Sequence, residues 1–210
     1  MENYKTVLQD ASDEMIEKKS RFIGYCRPVK TQDEAISFIN EIRALHRQAT
    51  HNVYAYVLRE DNIIRYSDDG EPAGTAGVPV LEVIKKEGLT DVAVVVTRYF
   101  GGVLLGAGGL VRAYGKGAKI GIDAAKRIEK IYCNLYLVRC DYSAYGKIEY
   151  AVNNGGYILR DSSFENDVCL TIGVREGEGE DENFLKTIAD ISGGSAKVDT
   201  LGGEYITKEL

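Results

Sequence analysis

The sequence contains no tryptophan, only three prolines and no long apolar run. The longest uninterrupted apolar stretch, residues 92–96, is far shorter than the ~20 residues that a membrane-spanning helix requires. The first 22 residues mix charges of both signs and lack the apolar region of a signal peptide. We therefore expect a protein without a membrane span or a secretion signal, located in the cytoplasm.

Cysteine is also sparse, and no two cysteines form a Cys-x-x-Cys pair. The strongest sequence pattern of a zinc site is therefore missing. A disulfide framework typically needs more cysteines in a shorter chain. We expect reduced, mostly buried thiols, with no metal and no cofactor. The four cysteines are Cys26, Cys133, Cys140 and Cys169.

The balance of charge is acidic but uneven along the chain. The net charge of −6 excludes a protein that coats nucleic acid through its bulk charge. Residues 1–133 carry 19 basic and 18 acidic side chains, whereas residues 134–210 carry 7 basic and 14 acidic ones. Within the first part, residues 98–130 carry 7 basic and 2 acidic side chains, a local excess of five positive charges.

The first 133 residues predict a mixture of helices and strands. Thr31 begins a helix whose first turn contains Asp33 and Glu34, as the helix dipole favours. The apolar positions of this helix are Ala35, Ile36, Ile39, Ile42 and Leu45. The predicted elements are an extended segment at 14–29, helices at 31–45, 80–86 and 110–127, and strands at 52–59, 63–66 and 92–97. The apolar side of the last helix is predicted to contain Val111, Ala118, Ile122 and Ala125.

After residue 133 the pattern changes to the order β-α-β-β-α-β, which is that of a ferredoxin-like domain. We therefore predict an α+β protein with two domains, at residues 1–133 and 134–210. The predicted elements of the second domain are strands at 135–140, 157–164, 168–174 and 196–206, a helix at 144–152, and a helix that ends at 191.

A glycine-rich loop, residues 101–109, separates a predicted strand from a predicted helix. It matches neither the dinucleotide pattern G-x-G-x-x-G nor the phosphate-loop pattern that ends in Lys and Ser or Thr. Backbone N–H groups near a helix N-terminus can still bind an anion without a particular side chain. Alternatively, the glycines permit close packing and positive φ.

Basic and aromatic residues around this loop form a candidate anion or nucleic-acid site. Arg98 could bind phosphate beside a stacking ring, or could pair with Asp68, Asp69 or Glu71 to brace a loop. Three further basic residues share one helix face, which is either a phosphate-binding stripe or an ordinary solvated surface. The candidate residues are Arg98, Tyr99, Phe100, Gly101, Gly102, Arg112, Lys116 and Lys119.

An alternative site consists of His51, Asp69 and Glu71, which are residue types that suit metal binding or general acid–base catalysis. None of the established hydrolase or zinc-protease motifs accompanies them. The competing interpretation is that Asp69 and Thr75 cap backbone groups of a tight loop and the following helix. The sequence therefore favours a protein that is not an enzyme.

The run VTRYFGGVLLG at residues 96–106, continued by AGGLVRAYG, resembles the signature of the YigZ/Impact family. SRFI at 20–23, DDGEPAGTAG at 68–77 and His51 resemble the other motifs of that family. The resemblance implies a first domain similar to domain 2 of ribosomal protein S5 and a second, ferredoxin-like domain similar to domain V of elongation factor G. We expect the chain to start almost at the shared domain, without the N-terminal extension of the eukaryotic relatives that restrain a starvation-sensing kinase.

The resemblance to a ribosome-acting pair of domains implies contact with RNA or the ribosome. Our leading hypothesis is a non-enzymatic, RNA- or ribosome-associated protein that regulates translation through residues 98–130. One alternative is a small hydrolase or metal-dependent enzyme at His51 and the 68–71 loop. The other is a protein–protein adaptor that uses the acidic second domain to contact a protein partner in the translation machinery.

Overall fold

The computed structural model describes residues 1–210 and contains two compact units. The N-terminal unit consists of Tyr4–Glu129 with Glu209–Leu210, and the C-terminal unit consists of Lys130–Lys208 with Met1–Asn3. The helices are α1 (Gln32–Leu45), α2 (Gly77–Lys86), α3 (Ala107–Ala124), α4 (Tyr142–Asn154) and α5 (Glu180–Ser192). The first strands are β1 (Tyr4–Val7), β2 (Ala11–Glu17), β3 (Ser20–Pro28), β4 (His51–Val57), β5 (Ile64–Ser67) and β6 (Val92–Tyr99). The remaining strands are β7 (Arg127–Cys140), β8 (Ile158–Phe164), β9 (Val168–Arg175) and β10 (Lys197–Glu209).

The sheet of the N-terminal unit has the order β2-β3-β6-β4-β5, and every neighbouring pair is antiparallel. The side chains of β6 alternate between its two faces. Val94 and Val96 join the core beneath α2 and α3, whereas Ala93 and Val95 join the core beneath α1. Helices therefore cover both faces of the central strand, which explains why this strand is almost uniformly apolar.

The extended segment predicted at residues 14–29 is instead part of a β2–β3 hairpin. Glu17 pairs with Ser20 across a turn formed by Lys18 and Lys19, whose φ angles are 45° and 69°. Positive φ at a turn is usually supplied by Gly, Asn or Asp. Because two lysines adopt it here, the turn gives no signal in the sequence.

Helix α1 begins as predicted, because the Thr31 side chain accepts a hydrogen bond of 3.2 Å from the Glu34 N–H. Ala35, Ile39 and Ile42 are buried as expected. The expectation was wrong for two other positions, since Ile36 and Leu45 are exposed. Phe38 is buried on this helix instead.

Helix α3 lies directly on strand β3 without side chains between the two backbones. A Cβ atom added to Gly24 would lie 1.9 Å from the Gly117 carbonyl oxygen, and one added to Gly121 would lie 2.8 Å from the backbone of Gly24. The helix begins and ends three residues earlier than predicted. Its buried face includes Tyr114 but not Val111, which is 42% exposed.

The C-terminal unit has the predicted order β-α-β-β-α-β. Strand β9 lies between β7 and β8, and β10 pairs with β7. The core includes Val138, Ile148, Leu170, Phe184 and Ile188. Strand β7 is longer than the strand predicted at 135–140, so the boundary proposed between residues 133 and 134 falls within a continuous strand.

The α+β class with two domains is confirmed. All four cysteines are free thiols, and burial raises the pKa of Cys26. None of the five helices combines the length and the apolar character needed to cross a membrane.

Candidate functional site

A buried ion pair lies at the end of β6, on the face of the sheet that α2 and α3 cover. Arg98 donates from Nη1 to Glu71 Oε1 at 2.6 Å, and both side chains are nearly inaccessible. The Tyr114 hydroxyl donates to the same oxygen at 2.7 Å. Burial and this hydrogen bond raise the pKa of Tyr114, so the hydroxyl keeps its proton. Of the two interpretations of Arg98, this geometry matches the one in which Arg98 pairs with Glu71 and braces the acidic loop.

The loop before α2 is shaped by Asp68. One carboxylate oxygen accepts from the N–H groups of Ala76 and Gly77, and the other accepts from Gly74. Partial burial opposes ionisation of Asp68, but these three N–H groups outweigh it and lower the pKa of the carboxyl. The loop is thereby closed into a compact turn that contains Glu71.

The competing interpretation, that Asp69 and Thr75 cap backbone groups of the loop and of the following helix, holds for Thr75 within the loop, but neither side chain caps α2. The Thr75 hydroxyl donates to the Pro72 carbonyl at 2.7 Å. Asp69 accepts from the Asn52 N–H at 2.7 Å and from Arg43 at 3.0 Å. The Asp69 carboxylate thus joins the loop to β4 and α1 rather than capping α2.

His51 lies directly opposite Arg98 in the register of β4 and β6. Its Nδ1 donates to the Asp69 carbonyl oxygen at 2.8 Å, because a carbonyl oxygen can only accept. A neutral His51 ring therefore has its lone pair on Nε2, which lies 3.7 Å from Glu71 Oε1. The structure thus brings His51 and Glu71 together, while Asp69 contributes its carbonyl oxygen and not its carboxylate.

Tyr99 points to the opposite face of the sheet and does not share the surroundings of Arg98. Its hydroxyl lies 2.8 Å from His46 Nδ1, and the Tyr25 hydroxyl lies 2.5 Å from Nε2 of the same ring. Burial and the positive charge of Arg21 lower the pKa of His46. The expectation that Tyr99 could supply a stacking face beside Arg98 does not match this arrangement.

Phe100 is the exposed aromatic ring beside Arg98, with 5.4 Å between the guanidinium carbon and the ring centroid. The following glycines hold the loop near the β2–β3 turn. A Cβ atom on Gly101 would lie 2.1 Å from the carbonyl carbon and oxygen of Lys19, so only glycine fits there. Gly102 has a φ of 80° and is exposed.

A cavity of ≈390 Å³ opens above the buried ion pair. His51, Glu71 and Arg98 form its polar end, and its apolar wall includes Phe100, Leu104 and Leu110. Gly106 and Ala107, at the start of α3, also line the cavity. The cavity combines a positive helix end, a fixed imidazole and an arginine with space for an organic group.

The three basic residues predicted to share a face of α3 have different surroundings. Arg112 and Lys116 are exposed and line a second surface cavity together with Lys18. Lys119 instead forms ion pairs with Glu87 at 3.4 Å and with Asp123. The charge of Lys119 is therefore locally compensated.

Two residues that contact the ion pair, Tyr114 and Ser20, were not among the site residues predicted from the sequence. Tyr114 shares the Glu71 oxygen, and Ser20 Oγ lies 3.4 Å from Arg98 Nη2. Both lie in the sequence blocks that carry the family resemblance, so those blocks were the available signal. No three His, Cys, Asp or Glu side chains lie together as potential metal ligands.

Comparison with known proteins identifies both parts of the chain. Residues 18–122 match the Impact N-terminal domain, and residues 138–195 match a domain of unknown function, DUF1949. The chain is 40% identical over 211 residues to the IMPACT family member YvyE of Bacillus subtilis, covering 100% of this chain and 96% of that protein. It is 33% identical over 184 residues to the IMPACT family member YigZ of Escherichia coli, covering 86% and 89%.

A solved structure described as the crystal structure of a hypothetical protein is 32% identical, with a TM-score of 0.59. The similarity covers 94% of this chain and 97% of that one. The sequence motifs that resemble this family meet around Arg98 and Glu71. On the domain match and the identity over nearly the whole chain, this protein belongs to the IMPACT family.

Proposed function

We propose that the N-terminal unit binds RNA, on the ribosome or free, and that this binding regulates translation. The surface that would bind is a basic patch consisting of Lys18, Lys19, Arg112 and Lys116. The observation that carries the proposal is that all four side chains are exposed and none of them forms an ion pair. Uncompensated cations at one place on an otherwise acidic protein favour an oriented contact with phosphates.

The patch is assembled from two separate parts of the chain. Lys18, Arg112 and Lys116 surround a cavity of ≈220 Å³, whose lining contains one acidic residue, Glu17. Lys19 follows Lys18 in the turn against which Gly101 packs. The glycine loop therefore brings exposed Phe100 into the neighbourhood of these cations, where its ring can stack on an unpaired base.

Several basic residues of the segment 98–130 are already paired with carboxylates, which leaves fewer cations free to bind phosphate. Glu87 neutralises both Lys119 and Arg127, and Asp123 also pairs with Lys119. Arg98 is buried in its own ion pair. Within α3, the cations available to a phosphate backbone are thus Arg112 and Lys116, which lie beside Lys18 and Lys19 of the β2–β3 turn.

The first experiment is binding of a fluorescently labelled single-stranded RNA between 50 and 200 mM salt. Four phosphate contacts, one for each cation of the patch, predict a slope of about −3 in a plot of log affinity against log salt, or a loss of roughly 50-fold over this range. An affinity for RNA that does not change with salt concentration, or no binding at 50 mM salt, contradicts the proposal.

A pair of charge-reversal variants tests the location. Arg112→Glu with Lys116→Glu should abolish RNA binding and co-sedimentation with ribosomes. Lys147→Glu with Lys186→Glu makes the same change in net charge at exposed sites of the C-terminal unit and should leave binding largely intact. Equal losses in both variants would mean that overall charge, not the patch, controls binding. Ribosome association that survives patch reversal and high salt would indicate a protein contact instead.

A further inference from the structure

The N-terminus of α3 opens into the cavity above Arg98. Gly106 precedes the helix with a φ of 70°, and no side chain caps the first turn. The N–H groups of Ala107, Gly108 and Gly109 donate to no oxygen of the protein. The first turn also contains no acidic residue. An 18-residue helix thus directs its positive end toward this space, and Gly106 and Ala107 line the cavity.

Arg98 supplies an independent indication of a missing acceptor. Its side chain lines the same cavity, and the residue is only 5% exposed. Nη1 donates to Glu71 and Nη2 makes a long contact of 3.4 Å with Ser20, but Nε has no hydrogen-bond partner. Buried donors are nearly always satisfied by protein, water or ligand, so an unpartnered Nε–H on a side chain that lines an open cavity points to a ligand.

The other residues that line the cavity indicate that the ligand also carries an apolar group. Phe100, Leu104 and Leu110 make most of the lining apolar, and Leu104 is 82% exposed. The volume of ≈390 Å³ is within the range of small-molecule sites, and is larger than an inorganic anion needs. Glu71 already balances the charge of Arg98, so the free amides of α3 are the groups that select an anion.

We propose that this cavity binds a small phosphomonoester. The phosphate lies at the N-terminus of α3, next to the Arg98 guanidinium, and the organic group lies against Phe100 and Leu104. The site borders the basic patch, since Leu105 lines both cavities, but it holds the anion with backbone amides and buried side chains rather than exposed lysines. It therefore does not depend on RNA binding.

The test uses the full chain, labelled with ¹⁵N, and phenyl phosphate as the probe. We expect the amide signals of Ala107 and Gly108 to shift and to saturate with added phenyl phosphate. Inorganic phosphate should shift the same amides with weaker affinity, since it lacks the apolar group, and phenol should leave them unchanged. Absence of a saturable shift at these two amides with millimolar phenyl phosphate overturns the proposal.

A matched pair of substitutions at Ala107 tests the role of the helix end. Ala107→Glu places a negative charge in the first turn, where it stabilises the helix but repels an anion, so the protein stays folded. We expect affinity for phenyl phosphate to fall by about tenfold or more. Ala107→Gln, of similar size and without the charge, should retain binding, and so should Lys116→Glu in the basic patch. Equal affinity of the Glu and Gln variants overturns the proposal.

Discussion

Replacing Glu71 with Met should destabilise the N-terminal unit through the charge that it leaves behind. The carboxylate accepts from Arg98 and from Tyr114, and its side chain is 4% exposed. Without it, the Arg98 guanidinium is buried with no counter-charge, which typically costs about 3–5 kcal/mol. The Tyr114 hydroxyl also loses its acceptor, a loss of about 1 kcal/mol within that range.

The double variant Glu71→Met with Arg98→Met separates charge from packing. Because two apolar side chains replace a buried ion pair, we expect the double variant to be more stable than Glu71→Met alone. The coupling energy between the two positions should then be at least about 2 kcal/mol. Glu82→Met is the control, because Glu82 is 62% exposed in an ion pair with Lys85 and its loss should cost less than about 0.5 kcal/mol.

Urea unfolding followed by far-ultraviolet circular dichroism measures these free energies, and amide exchange in β6 assigns the transition to the N-terminal unit. A cost below about 1 kcal/mol for Glu71→Met would refute the reasoning. Additive costs for the two substitutions would refute it as well, since they would show that the ion pair does not couple these residues.

Three further predictions concern packing and pH. Gly24→Ala should lower the free energy of unfolding in urea by about 2 kcal/mol or more, because the added Cβ would collide with the Gly117 carbonyl. Gly146→Ala is the control: this position lies within α4 with open space around it, so the substitution should raise the free energy of unfolding by about 0.5–1 kcal/mol. The pKa of His46 is lowered in the folded protein, so the unfolded chain binds more protons as pH drops below 6.5 and the free energy of unfolding should fall. His46→Gln should make the free energy of unfolding depend less on pH in this range. The pKa of Asp68 is also lowered, so its contribution is present above pH 3.8 and is lost as pH falls through the lower folded value; acid titrations of Asp68→Asn should show a smaller loss.

Elements with a local chemical signal could be predicted from the sequence. Thr31 caps α1 with its own side chain, and the alternating patterns after residue 133 form the strands that they indicated. The β2–β3 turn was missed because two lysines adopt positive φ there. The predicted helix ran on to residue 127, where β7 begins, and residues 128–134 were assigned to no element, since only Lys126, with a φ of 57°, marks the change.

The candidate site could be predicted less well from the sequence, because it depends on contacts between residues far apart in the chain. Glu71 and Arg98 are 27 residues apart, and their pairing follows from the loop that Asp68 closes. Alternation along β6 separates Tyr99 from Arg98, which the sequence treated as neighbours. The spacing of Arg112 and Lys116 correctly suggested one exposed face, but it could not show that Lys119 is neutralised by Glu87 from another helix end.

The contact between Gly24 and Gly117 also helps to set the direction of α3. Ten residues separate Gly117 from Ala107, a length of about 15 Å along the helix axis. A tilt of 10° at this contact would move the first turn by about 2.6 Å, which is more than a hydrogen bond tolerates. The direction and position of the free amides are therefore set by glycines that lie far from the cavity, so a methyl group added at Gly24 should alter anion affinity without touching the anion.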